Sequence, residues 1–156
     1  MRIIAPCTWQ HCCPDYDLID ILQSVDNAFQ PSLSSQHNLT EFSAKLQERA
    51  CIFLAGEDRN PEGVMAAYLN KDGETYISII CVFPSSRNKG VGVSLLRMLQ
   101  QEVKMKNGRS ITCRVSVENV AARAMYKRAG FVEDGDIFNI IGTEKIMVVW
   151  KNPDFK

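Results

Sequence analysis

Four residues in one short stretch have the types and the spacing to hold an anion. In "SSRNKGVGV" (85–93), Arg87 and Lys89 flank Asn88, and Val91 separates Gly90 from Gly92 before Val93 leads into an amphipathic run. An apolar, strand-like segment ends just upstream at Phe83, so the pattern reads as strand, turn and helix. The first N–H groups of such a helix have no intrahelical partner, and the helix dipole adds positive potential there. Glycines let a phosphate approach the backbone, and Arg87 can add charge-assisted hydrogen bonds. The spacing matches neither a Gly-x4-Gly-Lys-Ser/Thr loop nor Gly-x-Gly-x-x-Gly. On spacing alone the stretch is either a phosphate cradle or a plain strand-to-helix turn.

Sulfur chemistry is the other possibility to weigh. Cys7, Cys12 and Cys13 lie near His11, as a metal site would need. No second ligand cluster stands at finger-like spacing, and adjacent Cys12 and Cys13 cannot easily share one tetrahedral ion, so no metal is expected. Cys51, Cys81 and Cys113 each fall in an apolar strand-like run, where a free cysteine behaves as a small hydrophobe. Reduced thiols point to a cytoplasmic chain.

These residues have to be positioned by the elements around them. Residues 2–5 start a strand that Pro6 restricts to an edge or an end. Leu18, Ile21, Leu22, Val25 and Phe29 form one stripe of a helix from Tyr16 to Phe29. "PSLSSQHN" (31–38) reads as a loop, and Thr40 as the N-cap of a second helix through Arg49 that buries Phe42 and Leu46. Three β-rich runs follow at 51–57, 63–70 and 75–83, joined by the turn sequences "DRNPEG" and "KDGE". A helix over 90–106 carries Val91, Leu95, Met98 and Leu99 as its stripe. A strand (110–117), a helix (120–129) closed by Gly130, and two last strands around Gly142 complete the chain. The order β-α-α-β-β-β-α-β-α-β-β is a mixed α/β domain, an antiparallel meander with at least one parallel crossover.

At 156 residues the chain fits one domain able to bury a real core. Eighteen basic residues balance eighteen acidic ones, so no global field draws nucleic acid or an anionic membrane, and charge-driven binding must be local. No run resembles a signal peptide, and none approaches the roughly 20 apolar residues of a membrane span.

A second stretch gives the turn a meaning. "ENVAARAMYKRAGF" (118–131), taken with "VFPSSRNKGVG" (82–92), resembles the paired signatures of the GNAT superfamily of N-acetyltransferases. The first signature, Arg/Gln-x-x-Gly-x-Gly/Ala, is matched by Arg87, Gly90 and Gly92; the second by Asn119, Ala122, Tyr126, Gly130 and Phe131. The resemblance extends over nearly the whole predicted element order. It implies acetyl-CoA as co-substrate, with residues 87–93 cradling the pyrophosphate and the strand 78–83, including Cys81 and Val82, pairing with the pantetheine arm. It also implies a backbone N–H near Val82 as donor to the developing oxyanion, and Tyr126 as general acid toward the CoA sulfur. Periodicity alone reads Tyr126 as core, since Ala122, Met125 and Ala129 share its stripe. Asn119 has a further role as helix N-cap.

The general base stays unassigned. Some relatives carry a glutamate where this chain has Ser78, Glu74 lies at the start of the strand, and a water chain would also serve. Arg123, Lys127 and Arg128 are candidates for the 3′-phosphate of CoA or a solvated face, and His37 for an acceptor contact or an exposed loop residue. Residues 25–55 resemble, more loosely, bacterial members of the family found among surface-polysaccharide genes. That likeness points to a small-molecule amine acceptor, an amino sugar, free or nucleotide-linked, with a protein or peptide amine as the alternative. A non-catalytic acyl-CoA sensor is the remaining reading. The chain is expected to be a monomer or homodimer, with "EKIMVVW" (144–150) as an edge strand able to pair across a dimer.

Overall fold

The computed structural model describes residues 1–14, 17–29, 31–57 and 60–156, with nothing stated of the Gln10 side chain. Strand β1 (Arg2–Ile4) is followed by a short helix α1 (Trp9–Cys12) that the sequence pattern does not announce. Helix α2 (Leu18–Ser24) buries Leu18, Ile21 and Leu22 as expected, with the Asp17 carboxylate capping the Ile19 N–H. It is shorter than the apolar stripe suggests, because a 3-10 turn over Asp26–Ala28 replaces its last turns; Tyr16, the expected start, lies outside the described residues. The expected loop at 31–38 contains one helical turn, α3 (Leu33–Gln36). Helix α4 (Leu39–Arg49) starts one residue before Thr40, because the Asn38 side chain accepts from the Glu41 N–H and is the true N-cap.

The rest follows the expected order: β2 (Cys51–Glu57), β3 (Asn60–Leu69), β4 (Glu74–Val82), α5 (Val91–Met105), β5 (Ser110–Ser116), α6 (Val120–Arg128), β6 (Val132–Ile140) and β7 (Thr143–Lys151). All seven strands form one sheet in the order β1-β2-β3-β4-β5-β7-β6. Among the described residues only β4 and β5 run parallel. Strand β7 lies between β5 and β6, so it has no free edge; the expectation that it pairs across a dimer is corrected, and the sheet's edges are β1 and β6.

The two faces of the sheet carry separate cores. Helices α1 to α4 cover β1 to β4 on one face, where Trp9, Leu18, Leu22 and Leu46 meet Ile52, Val64 and Ile79. Helices α5 and α6 cover the other, where Leu95, Leu96, Leu99 and Val103 meet Phe53, Met65, Ile111 and Val148. Each of those α5 side chains is essentially fully buried, worth roughly 1.5–3 kcal/mol, so α5 is held firmly enough to fix the turn at its head.

Two irregularities matter for function. Strands β4 and β5 pair only at Glu74–Ser110, Thr75–Ile111 and Tyr76–Thr112, although β4 continues to Val82 and β5 to Ser116. Beyond Tyr76 the two strands part like a fork. Second, the β3–β4 register shifts between Ala66 and Ala67, whose partners are Ile79 and Ile77, so Ser78 is the extra residue of a bulge. The bulge reverses the strand's phase: Ile77 lies in the α5 core, and Ile79, two residues on, lies in the opposite core.

Candidate active site

The stretch from Phe83 to Gly90 folds as a 3-10 turn over Pro84–Ser86 followed by a tight corner. Asn88 (φ 61°) and Gly90 (φ 80°) are both left-handed, on either side of Lys89, a conformation asparagine and glycine tolerate best. The first bond closing α5 runs from the Ser94 N–H to the Gly90 carbonyl (3.0 Å). Among the described residues no acceptor meets the backbone N–H groups of Asn88, Lys89, Gly90, Val91, Gly92 or Val93. Six consecutive open donors at a helix head, with Asn88, Lys89 and Gly90 exposed, make an anion-binding concavity.

The two glycines have different roles. A Cβ on Gly90 would meet nothing within 4 Å, so its side of the turn is open and its left-handed backbone is what requires glycine. Gly92 is buried, and a Cβ there would run into the Met125 sulfur of α6. Gly92 is therefore also a packing residue: its missing Cβ admits Met125, while its N–H stays among the open donors. Gly63 on β3 has a similar role that the sequence did not signal: its missing Cβ leaves room for Val91 (3.1 Å) and Leu95 (3.3 Å). Arg87 turns back onto the strand, its Nε donating to the Val82 carbonyl at 3.2 Å.

The Phe83 N–H donates to the Glu62 carbonyl of the neighbouring hairpin (2.9 Å), which fixes the hydrogen-bonding phase of β4. Backbone groups alternate along a strand, so Cys81 turns its N–H and C=O toward Val64 on β3, whereas Ile80 and Val82 turn theirs into the fork. The Cys81 side chain is buried in the α1–α4 core, and that burial, eased by nearby Arg87, pushes its thiol pKa up. Cys81 is thus withdrawn from the fork on both counts. Ile80 stands in its place, and counting back by two from Val82 would have found it.

Tyr126 lies on the α5–α6 side of the fork and is fully buried. Its hydroxyl donates to Cys113 Sγ at 3.0 Å, and its ring meets Phe131 edge-on at 5.3 Å. Cys113 is the first β5 residue past the last β4 pair, so this hydroxyl sits at the base of the fork. Burial, then the neighbouring Cys113, raises the Tyr126 pKa well above 10.0, so the phenol keeps its proton throughout the neutral range. Tyr126 is a core side chain, as periodicity reads it, with its hydroxyl at the level where β4 and β5 cease to pair. Asn119 caps α6, its side-chain oxygen accepting from the Ala122 N–H at 3.0 Å.

Other candidates are drawn elsewhere. Glu74 lies eight residues from Val82 at the paired end of β4, about 26 Å away at strand rise, and meets Arg109 (3.6 Å); it is no base for chemistry at the fork. Ser78 is the bulge residue. Arg123 is held by Glu133 (2.6 and 3.0 Å) and the Val117 carbonyl (2.9 Å), leaving Lys127 and Arg128 as the exposed cations of α6. His37 stacks on Phe42 (centroids 4.3 Å apart), and burial, then Lys45, lowers its pKa.

Open donors at the head of the helix that follows β4, and a β4 wall without a strand partner beyond Tyr76, stand where the signatures imply a pyrophosphate cradle and a strand free to pair with the pantetheine arm. The model of the acetyltransferase (GNAT) family matches residues 16–131. The chain belongs to that family. It is accordingly an acyltransferase that transfers acetyl groups to amines. Its fold is similar to that of the Escherichia coli ribosomal-protein-S18-alanine N-acetyltransferase (20% identity, 83% of this chain and 86% of that one, TM-score 0.66). It also resembles a spermidine/spermine N-acetyltransferase from Vibrio cholerae (19% identity, 88% and 92%, TM-score 0.64). A third relative is a Bacillus anthracis protein described as a streptothricin acetyltransferase, solved with acetyl coenzyme A (25% identity, 66% and 62%, TM-score 0.59). No curated protein matches the sequence significantly.

Proposed function

We propose that this protein is an acetyl-CoA-dependent N-acetyltransferase acting at the fork between β4 and β5. The observation that carries the reading is the fork itself: Ile80 and the Val82 N–H offer backbone groups without a strand partner along one wall, leading to the six open N–H groups of residues 88–93, while Arg87 covers the Val82 carbonyl. These suit an extended amide-bearing arm and a pyrophosphate, respectively. Arg87 and Lys89 add positive charge at the same end. Acetyl-CoA so held supplies the thioester whose acyl group is transferred.

Tyr126 gives its hydroxyl proton to the departing sulfur near the base of the fork. The fork-facing N–H nearer that level is Ile80, which takes the role of donor to the charge on the acyl oxygen in place of Val82, five residues along β4 from the level of Cys113 and about 16 Å away at strand rise. Cys113 holds that hydroxyl at the base of the fork beforehand. The fork-facing segments 77–82 and 113–116 contain no Asp, Glu or His, so the amine arrives neutral or loses its proton through water. The acceptor favoured here is an amino sugar, free or nucleotide-linked, on the looser resemblance of residues 25–55.

Calorimetric titration with acetyl-CoA tests the proposal. The wild type is expected to bind, and Gly90→Asp, which strains a left-handed position and sets a carboxylate among the donors, to bind at least tenfold more weakly. Tyr126→Phe should keep its affinity and lose most turnover on amino-sugar and peptide acceptors. No binding by folded wild type would overturn the reading, and unchanged turnover in Tyr126→Phe would remove that residue's catalytic role.

A further inference from the structure

On the face of the sheet opposite α5 and α6, the core under α1 to α4 contains no residue of β5, β6 or β7. Among the described residues no helix packs on that part of the face, which begins at the fork. Strand alternation places Arg114 there, since its neighbours Cys113 and Val115 both point into the α5–α6 core. The Arg114 guanidinium lies between two aromatic rings, 5.9 Å from the centroid of Tyr76 on β4 and 5.7 Å from that of Phe138 on β6. Arg114 is exposed, and among the described residues its side chain makes no ion pair or hydrogen bond.

A guanidinium steadied by cation–π attraction to two rings leaves its N–H donors free for a carboxylate or phosphate, which a guanidinium binds through two parallel bonds. The nearest acid in the same cross-strand row is Asp134, reached through Met147 and two strands away, roughly 10 Å at ordinary strand spacing. It makes no ion pair with Arg114. Lys145, half-buried and opposite both Ser116 and Phe138, adds a second cation to this face. Cys113, whose thiol receives the Tyr126 hydroxyl, immediately precedes Arg114 in the chain. Since α5 and α6 close the other face, this bare one is where a second substrate has room to enter.

We infer that the amine acceptor carries an anionic group, a carboxylate or phosphate, which Arg114 holds with Lys145 beside it. This rests on the acetyltransferase reading and narrows it: a polyamine does not suit the site, whereas a phosphate-bearing amino sugar or a free amino acid does.

The test is calorimetry on protein with and without saturating CoA, using probes that differ only in the anion: glucosamine 6-phosphate against glucosamine, and L-phenylalanine against L-phenylalaninamide. At least one anionic probe should bind tenfold or more tightly than its neutral partner, and which pair responds identifies phosphate or carboxylate. Arg114→Ala should abolish that preference, and Arg114→Lys, which keeps the charge without the planar fork, should restore only part of it. Equal binding within both pairs, or a preference that survives Arg114→Ala, overturns the inference whatever CoA does. Discrimination by a wild type that fails to bind acetyl-CoA would instead overturn the enzymatic reading and leave the anion site standing.

Discussion

Tyr126 and Cys113 form a small polar chain inside an apolar core: the phenol donates to the thiol, and the thiol donates to the Arg114 carbonyl (3.5 Å). Burial pushes the Cys113 thiol up to about 11 from 9.0, against the opposing pull of the Tyr126 hydrogen bond and of Lys145 and Arg114. Below pH 9 the thiol is protonated whether the chain is folded or unfolded, and stability does not depend on it. Between pH 9 and 11 only the unfolded chain releases the proton, so alkali favours unfolding, by roughly 3 kcal/mol at the upper end. Cys113→Ala removes that contribution. Its melting temperature should start lower, because a cavity replaces the thiol, yet fall less steeply from pH 8.5 to 10.5 than the wild type's. Parallel slopes in thermal melts across that range would show that the thiol is not held protonated by the fold.

At the scale of elements, α5 must lie flat on β3 and β4 while its head stays open, and Gly63 and Gly92 permit this. Gly92→Ala should gain slightly in helix propensity but lose about 1–2 kcal/mol net, because the new methyl displaces Met125. In a double-mutant cycle Met125→Ala should recover part of that loss, a coupling of about 1 kcal/mol in denaturant unfolding. A Gly92→Ala protein of unchanged stability with weakened CoA binding would show that glycine is required there by the ligand and not by Met125. The sequence showed both glycines but could not separate their roles, since the difference lies in what packs 33 residues downstream. It was most legible where periodicity is local: the meander, the stripe of α5 and the α6 boundaries all stand close to expectation. It was least legible where a side chain out-competes a pattern. Asn38 takes the cap from Thr40, Asp26 binds both the Ser34 N–H (2.7 Å) and its hydroxyl (2.6 Å) to build a turn read as loop, and a single extra residue at Ser78 reverses a strand's faces.

Across the whole molecule, one sheet does two opposed things. It joins both cores through continuous pairing from β1 to β6, and it opens between its two central parallel strands. The opening costs the strand-to-strand hydrogen bonds that Ile80 and Val82 would otherwise make; Arg87 takes the Val82 carbonyl, and both N–H groups are left to water until something replaces it. Cys81 between them, paired to β3, has no such deficit. Amide hydrogen exchange should therefore alternate along β4 in the free protein, fast at Ile80 and Val82 and slow at Cys81, although all three lie on one short strand. Saturating CoA should slow exchange at Ile80, Val82 and residues 88–93, and leave Cys81 and the β6–β7 ladder nearly as they were. Uniform slow exchange across residues 79–82 in the free protein would mean that the fork closes in solution. Slowing confined to 88–93 would mean that the ligand is held by its pyrophosphate alone, with its reactive end outside the sheet. Alternation followed by protection of both segments joins the helix head and the fork into one binding site, which neither element could form alone.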